Sequence, residues 1–328
     1  MPVLTTRLTE TLQIARPVVS APMAFAAGGA LAAAVTRAGG LGLIGGGYGD
    51  AEWLAAQFAA AAGERVGVGF ITWSLARTPS LLEGVLGHRP AAVMLSFGDP
   101  RPFAPAIRAA GARLICQCQT LRHVQDAVEA GADIVVAQGS EAGGHGASRG
   151  TLTLVPEVAD HLARHAPDVL LLAAGGIADG RGLAAALMLG ADGVLMGTRF
   201  WAAREALVPA GHQQAILQTG GDGTLRTRVP DVVRQLPWPE PFTARVRRNA
   251  FTERWHGREE ELARVAATEA VPYRAAGEAG DADNTGVWFG EAAGLIHAIA
   301  PAAAIVREVC EDAEARITAA AAGRVRRP

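Results

Sequence analysis

The sequence predicts a parallel (β/α)8 barrel, an α/β TIM barrel, carrying a smaller, mostly helical appendage. Three observations lead there. Eight short apolar runs, each bounded by glycine or turn residues, begin near positions 17, 41, 65, 91, 113, 133, 169 and 193. Their spacing is roughly 20 to 26 residues, with one longer interval after the sixth run, which is the length of a strand–helix unit. Alanine-rich segments follow seven of the runs, and most close on a glycine (Gly39, Gly63, Gly87, Gly111, Gly131, Gly190) where a helix C-terminus would be capped. The competing class, an open doubly wound sheet, rests on one glycine pattern at 40–45. Those glycines fall inside a strand rather than in a strand-to-helix turn.

Taken in order, the runs are 17–23, 41–45, 65–72, 91–97, 113–119, 133–138, 169–174 and 193–198. Their valine, isoleucine and leucine content suits strands buried on both faces. Ala-Gly-Ala at 110–112, Ala-Gly-Ala-Asp at 130–133 and Leu-Gly-Ala-Asp at 189–192 each mark a helix end followed by the next strand. From about Ala202 the pattern changes, with prolines at 209, 230, 237, 239 and 241, charged runs at 245–248 and 258–261, and no further buried strand. The expected organisation is a barrel over 1–201, a mostly helical appendage covering the barrel mouth over 202–285, and a helical segment over 286–328 that returns to the barrel and frays at 324–328.

Composition narrows the chemistry. With 328 residues and a net charge of −2, the chain offers no basic field for nucleic acid or an anionic membrane. The start lacks a basic segment followed by an apolar one, and the apolar runs at 21–35 and 292–306 are too short to span a bilayer, so a cytoplasmic location is expected. Lysine is absent and all 30 basic residues are arginine, which excludes any mechanism needing an amine nucleophile. Three cysteines fit a reducing compartment, Cys116 and Cys118 sharing one side of a strand. The histidines other than His145 form no metal-ligand spacing, and no metal is expected.

In a parallel barrel the chemistry gathers at the carboxyl ends of the strands. The sixth run opens there into Gln138-Gly139-Ser140-Glu141-Ala142-Gly143-Gly144-His145-Gly146, a glycine-dense loop in which His145 is the candidate catalytic base. Gly175-Gly176 after the seventh run and Gly197-Thr198 after the eighth suit a phosphate held by backbone N–H groups. Gln117, Gln119 and Gln138 place amides late on neighbouring strands, where they either edge a flat polar heterocycle or bond one another. Phe25, Trp73 and Trp288 are expected to line a pocket for a small apolar substrate. Glu141 either caps a helix or pairs with an arginine.

Ala21-Pro22-Met23, the 138–146 loop, Gly175-Gly176-Ile177-Ala178-Asp179-Gly180-Arg181-Gly182 and Met196-Gly197-Thr198-Arg199-Phe200 together resemble the nitronate monooxygenase family, flavin-mononucleotide barrels formerly called 2-nitropropane dioxygenases. The resemblance runs over most of the chain. It implies FMN held by Ala21, Pro22, Met23, Gln117, Gln138, Gly143, Gly144, Gly175, Gly176, Gly197 and Thr198, with His145 as base. It further implies a small apolar nitro compound and oxygen as partners: an alkyl nitronate gives one electron to the flavin, and a carbonyl compound and nitrite leave. Cousins with the same barrel, the NADH:quinone reductases and flavin-dependent enoyl-acyl carrier protein reductases, keep NAD(P)H open as a partner, and a homodimer is a compatible assembly. Two departures stand out: Gly69 where relatives commonly have asparagine, and Gln117 where some place a lysine. A reading of another class, a non-flavin lyase or isomerase binding a sugar phosphate, is weakened by the absence of lysine and of a metal-ligand set.

Overall fold

The computed structural model describes residues 4–324, so the expectation for the last four residues of the tail lies outside the described residues. Eight parallel strands form the central sheet: β1 (Val18–Ser20), β2 (Leu43–Gly45), β3 (Gly67–Ile71), β4 (Ala92–Ser96), β5 (Arg113–Cys118), β6 (Ile134–Gln138), β8 (Leu170–Ala174) and β9 (Gly193–Met196). Their spatial order is β1-β9-β8-β6-β5-β4-β3-β2, and a parallel bridge between Val19 and Leu41 brings the two ends together. The (β/α)8 barrel is therefore present, each predicted run supplying one strand.

Alternation along the strands divides the core into two layers. Val19, Leu43, Met94, Ile115, Ile134, Val136, Leu172 and Leu195 fill the barrel interior, and the helix Arg7–Leu12 closes its amino-terminal end with Leu8 and Leu12. Val18, Ile44, Val68, Val93, Leu114, Cys116, Val135 and Val194 face outward into a larger core shared with the helices. Each fully buried leucine or isoleucine stabilises the fold by about 1.5–3 kcal/mol. Cys116 and Cys118 lie in this outer layer, and burial pushes the Cys116 thiol up to about 12, so it is protonated packing rather than a nucleophile.

Helix ends follow the sequence signals. Gly39, Gly63, Gly111, Gly131 and Gly190 have positive φ, whereas Gly87 stays right-handed at φ −59°. Thr120 and Asp179 cap the helices Leu121–Glu129 and Gly180–Met188 by accepting backbone N–H bonds from the first turn.

Beyond the barrel the expectation of a mostly helical segment without strands needs correction. Residues 202–285 contain helices, the longest being Glu259–Ala279, but also β10 (Thr224–Thr227) and β11 (Thr243–Arg247), which pair antiparallel. Alternating arginines in Thr-Leu-Arg-Thr and Thr-Ala-Arg-Val-Arg conceal these strands from a search for continuous apolar runs. The helix Ala302–Ala321 packs against the helices Gly29–Arg37 and Gly180–Met188. Among the described residues no helix is long and apolar enough to cross a membrane, and no group of His, Cys, Asp or Glu is placed to hold a metal ion.

The last packing contact is tight. A Cβ at Gly180 would stand 2.5 Å from the backbone nitrogen of Ala313, whereas one at Gly84, in the helix Ser80–Leu86, would meet nothing within 4 Å. Gly180→Ala is expected to lose about 1–3 kcal/mol, and Gly84→Ala to gain about 0.5–1 kcal/mol. Denaturant unfolding of both variants checks this, and equal shifts in the two would contradict the packing described.

Candidate active site

At the carboxyl ends of the barrel strands lies a cavity of about 260 Å3. Its wall contains Ala21, Pro22, Met23 and Phe25 after β1, Gln117 on β5, Gln138 on β6, Gly143, Gly144 and His145 in the following loop, Gly175 and Gly176 after β8, Gly197 and Thr198 after β9, and Trp288. The residues expected to hold the cofactor, together with His145, Phe25 and Trp288, are thus brought to one place, whereas Gln119 and Trp73 lie outside this wall. That tryptophan packs edge-on against Tyr48 and Trp238, at 6.0 and 5.5 Å between ring centroids. These two line the cavity in its stead, while Trp73 faces an adjoining pocket with Phe97, Gln119 and His123.

The loop carrying His145 is held by the appendage. Gly144–Gly146 forms a short strand, β7, that pairs antiparallel with β11, setting Ala244 opposite His145. Arg226 and Arg245 both donate to the Ser140 carbonyl, at 3.0 and 2.9 Å, and Arg226 donates also to the Thr243 carbonyl at 2.7 Å. Burial, with Arg245 close by, pushes Arg226 down to about 10. Glu141 caps the helix Thr151–His165: its carboxylate accepts from the Thr151 backbone and hydroxyl, at 3.0 and 2.8 Å. Of its two sequence-stated roles, the helix cap is the one adopted.

His145 is buried, and its Nε2 lies 2.9 and 3.0 Å from the two carboxylate oxygens of Asp231. Asp231 stands on the short helix Val229–Val233, where it also accepts from Arg234 at 3.1 Å. A carboxylate accepts only, so Nε2 carries the hydrogen and Nδ1 presents a lone pair. Nδ1 has no protein partner among the described residues. The Trp238 ring lies parallel to the imidazole at 3.3 Å, and Phe97 meets it edge-on at 6.2 Å. Burial holds the imidazole below the ordinary value of 6.5, with Asp231 opposing. The ring is therefore neutral at neutral pH.

Three amides form a chain beside it. Gln117 and Gln119 both donate to Gln138 Oε1, at 3.2 and 2.9 Å, and Gln138 donates to the His145 carbonyl at 3.1 Å. Gln119 is buried away from the cavity, so mutual hydrogen bonding is its role, while Gln117 and Gln138 reach the cavity wall.

The two late glycine loops differ in what they require. Gly175 and Gly176 have φ +102° and +73°, a conformation that favours glycine whatever lies nearby. Gly197 does not, and a Cβ there would make only ordinary contact with the cavity-lining Ala21 and Met23, at 3.5 and 3.7 Å. Backbone N–H groups of Gly176 and Thr198 have no hydrogen-bond partner among the described residues. These are the features of a cradle open to an anionic group. At Gly69, by contrast, a Cβ would overlap the Pro22 ring, so the glycine is what lets Pro22 lie against β3.

A family model described as Nitronate monooxygenase matches residues 5–64 and 75–312. The chain belongs to the nitronate monooxygenase family. The nitronate monooxygenase npaC of Metarhizium robertsii is 38% identical to it, over 93% of this chain and 93% of that protein. Among solved structures, FabK from Thermotoga maritima is similar with a TM-score of 0.86 and 30% identity, covering 98% of this chain and 99% of the other. The nitroalkane oxidase of Streptomyces ansochromogenes has a TM-score of 0.79 and 27% identity, over 95% and 99%.

Within this nitronate monooxygenase fold, the side chains that the sequence did not single out are Asp231, Arg234, Trp238, Tyr48 and Phe97. Tyr48 and Phe97 follow β2 and β4 directly, a position that marks barrel residues as candidates. The other three lie 86 or more residues beyond His145 in a proline-broken segment with no periodic signal, although Pro230 and Asp231 at a helix start are a recognisable pair.

Proposed function

We propose that the chain oxidises alkyl nitronates, and small neutral nitroalkanes after deprotonating them, with FMN as cofactor and oxygen as co-substrate, releasing a carbonyl compound and nitrite. The observation that carries this reading is His145, in the wall of a largely apolar cavity, paired with Asp231 behind it. His145 is the catalytic base: Asp231 holds the Nε2–H tautomer, so the Nδ1 lone pair is the acceptor for the α-proton of a nitroalkane. Trp238 fixes the plane of the ring, and Gln138 anchors its backbone carbonyl. Asp231 is a positioning residue and also stabilises the imidazolium formed when the proton arrives.

The cradle of Gly176, Gly197 and Thr198 fits the phosphate of FMN, and the amides of Gln117 and Gln138 fit the polar edge of its ring, with Ala21, Pro22 and Met23 against the apolar part. Bound FMN would supply the electron transfer and oxygen chemistry that follow deprotonation. Gln117 is neutral, so no ammonium offsets negative charge at that edge. Phe97, Trp238 and Trp288 exclude water from the reacting side.

Gly197→Val is expected to fold and to lose FMN, because the added branch enters the phosphate approach; a yellow, fully loaded variant contradicts that placement. His145→Asn keeps roughly the volume but offers no base. Turnover of neutral nitroalkanes is expected to fall by about two to four orders of magnitude, and turnover of preformed nitronates much less. In the unaltered enzyme, nitroalkane turnover rises with pH through one ionisation below 6.5, as the imidazolium loses its proton, and the variant lacks that limb. Both substrate forms are measured across pH with flavin content checked, and NADH and NADPH run in parallel as alternative reductants. Equal losses for the two forms would remove the base assignment.

A further inference from the structure

The Tyr48 phenol carries a hydrogen that no group in the described chain takes up. Its oxygen lies 3.0 Å from the Trp238 indole nitrogen and 3.5 Å from Arg234 Nη2. Indole and guanidinium N–H groups are donors only, so the phenol oxygen is the acceptor in both contacts. Its own O–H is left without a protein acceptor among the described residues. Tyr48 is half-buried and lines the same cavity as His145. Burial pushes the phenol above its ordinary value of 10, with Arg234 opposing, and the hydroxyl stays protonated.

This donor is tied rigidly to the base. Arg234 donates to Asp231 at 3.1 Å, and Asp231 accepts from His145 at 2.9 Å. Trp238 holds Tyr48 with its N–H while its ring face lies on His145. A proton acceptor, Nδ1, and a proton donor, the Tyr48 hydroxyl, thus share one cavity and one network. Asp231 and Arg234 offset each other's charge, so no net negative charge stands beside Tyr48 to repel an anion. The Arg234 guanidinium also sits 4.6 Å above the Trp288 ring, in the same wall.

We propose that Tyr48 donates its hydroxyl hydrogen bond to an oxygen of the nitro or nitronate group, directing the α-carbon toward His145. The assignment rests on the nitronate reading above. In the deprotonation, the α-C–H bond breaks, its proton passes to His145 Nδ1, the electron pair becomes the C=N bond, and the negative charge moves onto the nitro oxygens, where Tyr48 meets it. No oxidant enters this step. A donor aimed at the site where charge develops is the arrangement that accelerates such a proton transfer.

Tyr48→Phe removes one oxygen and leaves the ring, and the holoenzyme is assayed with ethyl nitronate and with nitrate, a planar oxyanion that does not react, as competitive inhibitor. The Michaelis constant for ethyl nitronate and the inhibition constant for nitrate are both expected to rise about 10- to 100-fold, the range for a hydrogen bond to a charged group. Flavin content and the pH limb of nitroalkane turnover are expected to stay in place, because His145 keeps Asp231. Constants within twofold of those of the unaltered enzyme would overturn the proposal. So would losses accompanied by a displaced limb or lost flavin, which would trace them to disturbed packing around Trp238. An unaltered enzyme inert toward both nitronate and nitroalkane would instead overturn the nitronate reading itself, before the variant is compared.

Discussion

The site depends on one contact made across the fold: a histidine on a barrel loop donates to a carboxylate 86 residues later, on a helix of the appendage. Neither partner can be placed alone. His145 is carried by β7, which exists only because β11 supplies its hydrogen-bonding partner. Asp231 is positioned by a short helix whose Val229 and Val233 are buried with Phe251, Trp255, Leu262 and Tyr273 in a separate small core. The appendage therefore helps to build the site, and on the function proposed above its packing sets the tautomer of His145. Burial and Asp231 pull the imidazole in opposite directions, and burial wins. That balance leaves a neutral imidazole, in the cavity wall, whose Nδ1 has no protein partner among the described residues.

Arginine does the work that lysine often does elsewhere. Arg226 and Arg245 bring guanidinium groups to one carbonyl, that of Ser140, and pin the loop to β10 and β11; Arg245 also meets Glu291 at 2.8 Å. A guanidinium distributes several donors in a fixed plane, so one side chain can serve two strands and a loop at once, which a single ammonium cannot do. Arg234 repeats the pattern near His145, reaching Asp231, Tyr48 and the Pro230 carbonyl. Three arginines of the appendage thus hold the His145 loop and Asp231 beside a largely apolar cavity.

Much of the barrel was legible because its strands are continuous apolar runs with glycines at the helix ends, signals that do not depend on distant partners. The glycine loops and His145 were legible for the same reason: barrel geometry sends every strand's carboxyl end to one face. What escaped were features defined by tertiary partners. Strands β10 and β11 carry arginines among their apolar residues and are recognisable as strands only by their pairing with each other and of β11 with β7. Trp73 follows β3 as an overhanging residue should, yet Trp238, arriving from the appendage, takes the place in front of it. Asp231 carries no local mark of chemistry, and only the folded contact distinguishes it from an ordinary acidic residue in the first turn of a helix.

The most direct test of this account is the pH dependence of neutral nitroalkane turnover in Asp231→Asn, with preformed nitronate as the reference substrate. Asp231 raises the affinity of His145 for its proton and selects the tautomer, so removing its charge has a defined sign. Nitroalkane turnover is expected to fall by about two to four orders of magnitude, the ionisation limb to move to lower pH, and nitronate turnover to be largely kept. Unchanged nitroalkane turnover, or a limb that stays in place or moves to higher pH, would contradict the coupling of Asp231 to the base.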